Sequence, residues 1–342
     1  MQGEGVEATM RAGRPTMQQI AQSAGVSVTT VSHVLSGKRP VNPRTAERIL
    51  AIIRQAGYVP DSAARTLQSG RSRLLAVAVP DITTSYFSRI AKGVELVAGP
   101  LDYGVLICST SFGGHRHRRY LDLLRNRTVD GLVYVASDSP VDAEELRPFA
   151  AEYPLVLADE EIPSLENVTV VTSDNRRGGR LAGEHLAALG HERVLIIAGP
   201  RGLVSTRDRT AGVRESFPDA LMLTGDYSAP SGAALLDEAL RSGTPFTAIA
   251  AGNDEIAIGA VDRLRTAGLR VPQDVSVIGF DDIESAALVG LTTIRQPAVA
   301  MGSRAARLLL DALADPGEAR VREKLPVELV ERTSTAAVAG SR

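Results

Sequence analysis

Past residue 73 the sequence settles into one rhythm. Short apolar runs rich in β-branched residues, each closed by turn residues, alternate with amphipathic stretches. The runs are Leu74–Val79, Val105–Cys108, Gly131–Val135, Leu155–Leu157, Val168–Val171, Val194–Ala198, Ala248–Ala251 and Val275–Ile278. Between them Phe87–Val97, Tyr120–Arg125, Arg177–Leu189 and Glu255–Ala267 carry helical spacing. A strand that is apolar at nearly every position must be covered on both faces, and a parallel neighbour requires a long crossover. The rhythm therefore predicts parallel sheets flanked by helices. So many strands exceed one comfortable sheet, and two doubly wound subdomains are expected. The first crossing between them is placed at Val168–Asp174, a return near Thr292–Pro297, and a third crossing before Val327–Val330. This gives a first subdomain of 72–171 and 296–322, a second of 172–295 and 323–335, and a tail of 336–342.

The first 70 residues read differently. Residues 1–14 are polar and are expected to be a disordered extension. Residues 15–60 read as a compact three-helix unit. Thr16 with Gln19 three residues on forms a capping box, Ile20, Ala21 and Ala24 give an apolar side, and Gly25 ends the helix. Ser27 caps a second helix with Val31, Val34 and Leu35 facing inward. Asn42 followed by Pro43 starts a third, whose buried stripe is expected to be Ala46, Ile49, Leu50 and Ile53, and Gly57 stops it. Charge follows the same division. Met1 to Arg73 carries ten Lys/Arg against four Asp/Glu, and the remainder 28 against 36. A basic small segment on an acidic large one points to a phosphate-bearing partner at the N-terminal end.

The helix–turn–helix spacing has a direct chemical reading. A small Ala21 lets the second helix cross the first, and Gly25 permits the sharp turn. A capped second helix can lay its N-terminal end in a major groove. Val28 and Thr29 would then meet base edges, with His33 one turn later. Thr16, Ser27, Thr30, Ser32, Asn42, Thr45 and Tyr58 carry hydroxyl or amide groups suited to phosphates and positioning. The competing reading of such a unit is a small helical bundle used for protein contacts.

In the larger part, strand ends carry Asp81, Asn253, Asp254, Asp281 and Asp282, and the segment after Gly199 and Pro200 adds Ser205, Arg207 and Arg209. Ligands bind at the carboxyl ends of strands in such folds. Asp, Asn and Arg side chains each grip hydroxyl groups at two points, which suits a neutral polyhydroxylated ligand. Carboxylates at strand ends also cap the helices that follow, and Asp254 and Asp282 are open to that alternative.

With these motifs in hand, the sequence resembles the LacI/GalR family of bacterial repressors. The resemblance runs through Ile20, Ala21, Ala24 to Ser27, Thr30 to Ser32, Val34, Leu35, Gly37 and Ala56 to Pro60. It continues at Ala64, Arg65 and Leu67, Leu74–Asp81, Gly252 to Asp254, Val271 to Asp282 and Thr292–Pro297, and covers roughly 15–335. Two departures stand out: His33 where the family often has Arg, and Asp61 where it often has Asn. The resemblance implies that 61–71 forms a hinge helix in the minor groove, with Leu67 wedged between base pairs and Ala64 allowing close helix approach. It also implies effector contacts from Arg209, Asn253 and Asp281, an aromatic wall at Tyr227, an opposing lip at Tyr86 and Phe87, and a further contact from Asp81. The periplasmic-binding-protein-like architecture is expected for 72–335.

Other classes fit less well. Met1 to Pro15 has no apolar run of a secretory signal, no stretch approaches a membrane span, and the single Cys108 forms no internal disulfide. No Walker A motif, nucleophile elbow or zinc-protease motif occurs. His115 and His117 sit among arginines that would repel a metal ion. An enzyme is therefore disfavoured. The better rival is a solute-binding or sensor protein of the same cleft architecture without operator-specific DNA binding, and residues 15–70 discriminate. The expectation is a cytoplasmic, nucleoid-associated repressor with three partners: near-palindromic double-stranded operator DNA, a small effector of sugar type, and a second copy in a homodimer. No cofactor, metal or membrane partner is expected. The stretch from Val327 to Arg342 lacks leucine heptads, so no coiled-coil tetramer is expected.

Overall fold

The computed structural model describes residues 15–36, 39–58, 70–110, 117–136, 140–315, 317 and 319–338. The chain divides into two units, Met1–Ser72 and Arg73–Arg342.

The first unit contains three helices, α1 (Met17–Ser23), α2 (Val28–Ser36) and α3 (Pro43–Ala56). Local chemistry sets each boundary. The Thr16 hydroxyl accepts the Gln19 N–H at 3.3 Å, and the Gln19 side chain returns the bond to the Thr16 N–H at 2.8 Å. Ser27 accepts the Thr30 N–H at 3.1 Å. Asn42 accepts the Arg44 N–H at 3.0 Å, with Pro43 at the first helical position. Gly57 closes α3 at φ 61°, a left-handed conformation that side-chain-bearing residues resist. Ile20, Ala21, Ala24, Val31 and Ile49 form the buried centre. Leu50, expected in that stripe, is instead exposed, and Ile52 packs inward with Ile53. The α3 stripe is thus rotated from the sequence-based expectation.

The second unit holds two six-stranded sheets. The first takes β1 (Leu74–Val79), β2 (Gly104–Ser109), β3 (Gly131–Val135), β4 (Leu155–Ala158) and β5 (Thr169–Ser173), with a sixth strand, β11 (Arg322–Leu325), added late in the chain. Its order is β11-β5-β4-β3-β1-β2, and every pairing is parallel. The second takes β6 (Val194–Ala198), β7 (Leu221–Thr224), β8 (Ala248–Ala251), β9 (Ser276–Asp281), β10 (Thr292–Arg295) and β12 (Glu328–Val330). Its order is β12-β10-β9-β8-β6-β7, parallel except where β12 runs against β10. Both sheets reverse strand order beside their first strand, between β1 and β3 and between β6 and β8. Such reversals open a crevice at the strand carboxyl ends.

Helices α4 (Ser85–Ala98), α5 (His117–Arg125) and α6 (Pro140–Glu152) belong to the first lobe. Helices α7 (Asn175–Ala188), α8 (Val204–Val213), α9 (Ala229–Ser242), α10 (Asp254–Thr266) and α11 (Glu284–Leu288) belong to the second. The chain then returns to the first lobe as α12 (Ala298–Ala314), which crosses α4 so closely that a Cβ on Gly302 would lie 1.9 Å from the Ile90 carbonyl oxygen.

Three lobe boundaries need correction. Residues 172 and 173 continue β5 in the first sheet, and 323–325 lie in β11 of that same sheet rather than in the second lobe. The tail expected from 336 begins later, because Ala336 exchanges hydrogen bonds with the Ser276 hydroxyl and the Val338 N–H donates to the Leu189 carbonyl at 3.0 Å. The sequence rhythm also passes over β7, whose apolar run of Leu221, Met222 and Leu223 is short and only partly buried, and β11, which has no continuous apolar run.

Candidate functional site

In the first unit α2 leaves Val28 and Thr29 exposed and His33 half-buried. Thr29 and His33 are four residues apart and share a helix face. Ser32, Thr45 and Tyr58 are half-buried, and Asn42 is exposed. The hydroxyls of Thr16, Ser27 and Thr30 are already engaged at the starts of α1 and α2; Ser27 and Thr30 lie 2.8 Å apart, oxygen to oxygen. They set the pose of the helices first. Ala64 and Leu67, and the expected hinge up to residue 69, lie outside the described residues.

In the second unit a cavity of about 880 Å3 opens between the lobes. It is lined from the first lobe by Asp81, Tyr86, Phe87, Asp159 and Glu160, and from the second by Ser205, Arg209, Asp226, Tyr227, Asn253, Glu255 and Asp281. The volume suits a small organic ligand. These side chains come together because the lining loops leave the carboxyl ends of β1, β4, β8 and β9 or lead into helices of the facing lobe.

Arg209 is the centre of the second-lobe wall. Its Nε donates to Asn175 Oδ1 at 2.8 Å and its Nη1 to the Gly252 carbonyl at 2.7 Å. The guanidinium lies 3.9 Å over the Phe280 ring and 3.7 Å from Asp281. Two hydrogen bonds and a stacked face fix its plane, so the remaining N–H groups are pre-aimed. Asp281 is held by Gln296, whose amide donates to it at 2.6 Å. Burial raises the Asp281 carboxyl well above the usual range, and Arg209 opposes that rise. Asp281 sits at φ 119°, Asp282 at 56° and Asp159 at 69°. Asp159 and Asp282 take the left-handed conformation that aspartate tolerates, whereas Asp281, on the cavity wall, lies outside it and marks stored backbone strain.

The opposing wall is built on Tyr86, a buried side chain whose hydroxyl donates to Asp159. Burial, then the Asp159 charge, pushes that phenol well above its ordinary value. Phe87 meets the Tyr86 ring edge-on, with centroids 5.4 Å apart at 64°. Tyr227 packs within 5.9 Å of the Arg209 guanidinium, and its hydroxyl pairs with Thr206 at 2.7 Å.

Other expected residues have structural duties. Both Asp81 oxygens accept from Thr83, its N–H at 2.9 Å and its hydroxyl at 2.8 Å. Asn253 caps α10 through the Ile256 N–H at 2.9 Å and donates to the Tyr227 carbonyl at 3.2 Å. Asp254 is fully buried, accepting from the Ile283 N–H at 2.9 Å and the Thr293 hydroxyl at 2.5 Å, and Asp282 bridges Arg295 and Arg332 at 2.6 Å each. Arg207 is exposed and paired with Asp208.

Residues 16–61 match the profile described as bacterial regulatory proteins, lacI family, and residues 183–335 match a periplasmic binding protein-like domain. The transcriptional regulator DegA of Bacillus subtilis (strain 168) is 31% identical over 337 residues, covering 94% of this chain and 98% of its own. The chain belongs to the LacI family of bacterial regulatory proteins. Among solved structures, the Lac repressor dimer bound to operator and the anti-inducer ONPF matches with TM-score 0.85 at 30% identity, over 95% of this chain and all of that one. The transcriptional regulator CelR in complex with cellobiose matches with TM-score 0.71 at 30% identity, over 94% and 100%.

In this LacI-family chain the lining residues Asp159, Glu160, Asp226 and Glu255, and the supporting residues Asn175 and Gln296, lie outside the sequence-based expectation. Asp159 and Glu160 follow β4 directly, as Asp81 follows β1, and the same strand-end rule could have found them. Asn175 and Gln296 sit in the segments that cross between lobes, where they orient Arg209 and Asp281. No local pattern marks such supporting residues.

Proposed function

We propose that this protein is a repressor that binds a near-palindromic operator as a homodimer, and that a small neutral polyhydroxylated effector, a sugar, sets its grip on DNA. One observation carries the reading. A chain with an exposed α2 face for DNA also carries a cavity of about 880 Å3 into which polar groups converge from two lobes. Arg209, Asp281 and Asp159 offer paired donors and acceptors to hydroxyl groups, while Tyr86, Phe87 and Tyr227 offer faces to the C–H side of a sugar ring. The operator-bound Lac repressor and the cellobiose-bound CelR support both halves of this reading.

The dimer has its own support. Edge strand β2 exposes Leu106 and Ile107, and the turn and helix before it expose Leu101 and Leu96. Exposed apolar side chains on and beside an unpaired strand edge favour association with a second copy. Binding to two half-sites requires such symmetry. The titratable cleft groups hold one another and the backbone in place, which fits binding better than catalysis. Among the described residues no helix is long and apolar enough to cross a membrane, and the site of action is proposed to be the cytoplasm.

The control is a linkage. An effector that prefers one arrangement of the lobes shifts the hinge origins before β1, and operator DNA must change effector affinity by the same factor. The test is selection of bound duplexes from a random pool by the purified chain at fixed salt, with and without a panel of sugars. Enrichment of a near-palindromic site whose binding changes with one sugar is the expected result. No enriched site under any of these conditions would overturn the regulator reading.

A further inference from the structure

Helix α8 begins without a cap of its own. Its N-cap residue is Leu203, which makes no side-chain hydrogen bond. The N–H groups of its first turn are satisfied from the opposite lobe. Glu160 accepts from the Val204 N–H at 2.8 Å and the Ser205 N–H at 3.1 Å. The carboxylate is only 4% exposed, so it sits in the seat rather than near it. The start of a ten-residue helix is the place where a ligand phosphate or carboxylate would ordinarily be held, by free N–H groups and the positive end of the helix dipole. Here that place belongs to the protein.

The rest of the cavity repeats the message. Asp81, Asp159, Glu160, Asp226, Glu255 and Asp281 line it, and among its described lining residues Arg209 is the one cation. Arg209 already faces Asp281 at 3.7 Å. An incoming anion would have to expel the buried Glu160 side chain and then sit among acidic groups with Arg209 as their one counter-charge.

We propose that Glu160 is a specificity determinant of the cleft: by occupying the N-terminus of α8 across the lobes, it shuts out phosphorylated and other anionic ligands and reserves the cavity for neutral ones. The proposal deepens the effector reading of the cleft and rests on it for its biological meaning. It also ties ligand selection to lobe closure, since opening the lobes would leave α8 uncapped.

The test uses inorganic phosphate against chloride at equal ionic strength, with the full chain, and follows the backbone amide resonances of Val204 and Ser205. In the unaltered protein these two resonances should not move. In Glu160→Ala they should move saturably, and phosphate at ten times its dissociation constant should raise the melting midpoint by about 3 °C beyond any rise in the unaltered protein. Phosphate bound by the DNA-reading unit is common to both proteins and cancels. If truncation unravels α8, Glu160→Gln carries the test. It keeps an oxygen for both N–H groups and removes the charge, so phosphate should still move the two resonances, with weaker affinity. Equal movement in the unaltered protein, or silence in a folded variant, overturns the proposal. A chain that answers no sugar but gains the phosphate response on losing Glu160 would instead refute the effector reading alone.

Discussion

Replacing Arg209 with methionine removes a guanidinium while leaving a flexible chain on the Phe280 ring. The native group makes two hydrogen bonds, to Asn175 and to the Gly252 carbonyl, and stands 3.7 Å from Asp281. Each bond from a charged donor is worth about 1.5–3 kcal/mol, and breaking a buried ion pair from one side costs about 3–5 kcal/mol. These figures describe overlapping interactions, so the expected loss at about pH 8 is about 3–4 kcal/mol rather than their sum. For a unit of this size that is a fall in melting midpoint of roughly 5–7 °C. The loss should depend on pH. Burial raises the carboxyls of Asp281 and Asp159 and Arg209 opposes both rises, with Tyr86 bonded to Asp159 and Asp254 repelling Asp281. Without Arg209 both carboxyls keep their protons to higher pH. A carboxyl whose folded pKa lies above its unfolded value contributes stability that is present at low pH and lost as pH rises through the folded pKa. The deficit of Arg209→Met should therefore be largest near pH 8 and shrink toward about pH 5, by up to about 1.4 kcal/mol per pH unit for each carboxyl. Urea denaturation at several pH values, followed by circular dichroism, reads this directly. A deficit below about 1 kcal/mol, or one that grows on acidification, would refute the buried-cation argument.

Burial pushes Glu160 and Asp254 each up to about 7, so the melting midpoint of the unaltered chain should rise as pH falls from about 8.5 toward 7; a midpoint that rises in the alkaline direction contradicts this. Below about 6.5 His185 and His191 should oppose this rise and flatten it, because burial holds them below their ordinary values and unfolding then takes up their protons. Thr16→Ala deletes the α1 capping box and should cost the first unit about 1 kcal/mol while leaving the melting of the second unit unchanged, as separate calorimetric transitions would reveal. Gly302→Ala forces a Cβ to within 1.9 Å of the Ile90 carbonyl and should destabilise the second unit by about 1–3 kcal/mol or more. An unchanged midpoint would mean that α4 and α12 can separate without penalty.

What could be read in the sequence is what short-range physics writes there. Thr16, Gly25, Ser27, Asn42, Pro43 and Gly57 announce the three N-terminal helices because caps and turns are local. The strands around β1, β3, β6 and β9 announce themselves because burial on both faces forces unbroken apolar runs. β11 gives no such signal: its Arg, Glu, Lys and Leu alternate at a sheet edge, so the boundary between lobes was placed too early. α8 hides for a related reason. It packs on α7 on one side and faces the cavity on the other, so Ser205, Thr206, Arg209 and Thr210 are all buried and no polar outer stripe marks a helix. In the cleft, Arg209 and Asp281 were legible as strand-end and loop polar residues. Their partners Asn175 and Gln296 were not, because their role exists only once the chain has crossed between lobes.

The late arrival of β11 has a consequence during synthesis. The first lobe's sheet is complete through β5 when residue 173 has been made, yet its outer neighbour begins at Arg322 and α12 at Ala298. At about 5–20 residues per second, roughly 7–30 seconds of translation separate β5 from β11. Throughout that interval the nascent chain presents an unpaired β5 edge, and until Ala298–Ala314 has been made it also presents the bare face of α4 that α12 will cover. Ribosome-bound chains paused in this window should depend on chaperones for solubility, and a truncation ahead of Arg322 removes β11 and β12 together, leaving β5 in the first sheet and β10 in the second each with an open edge.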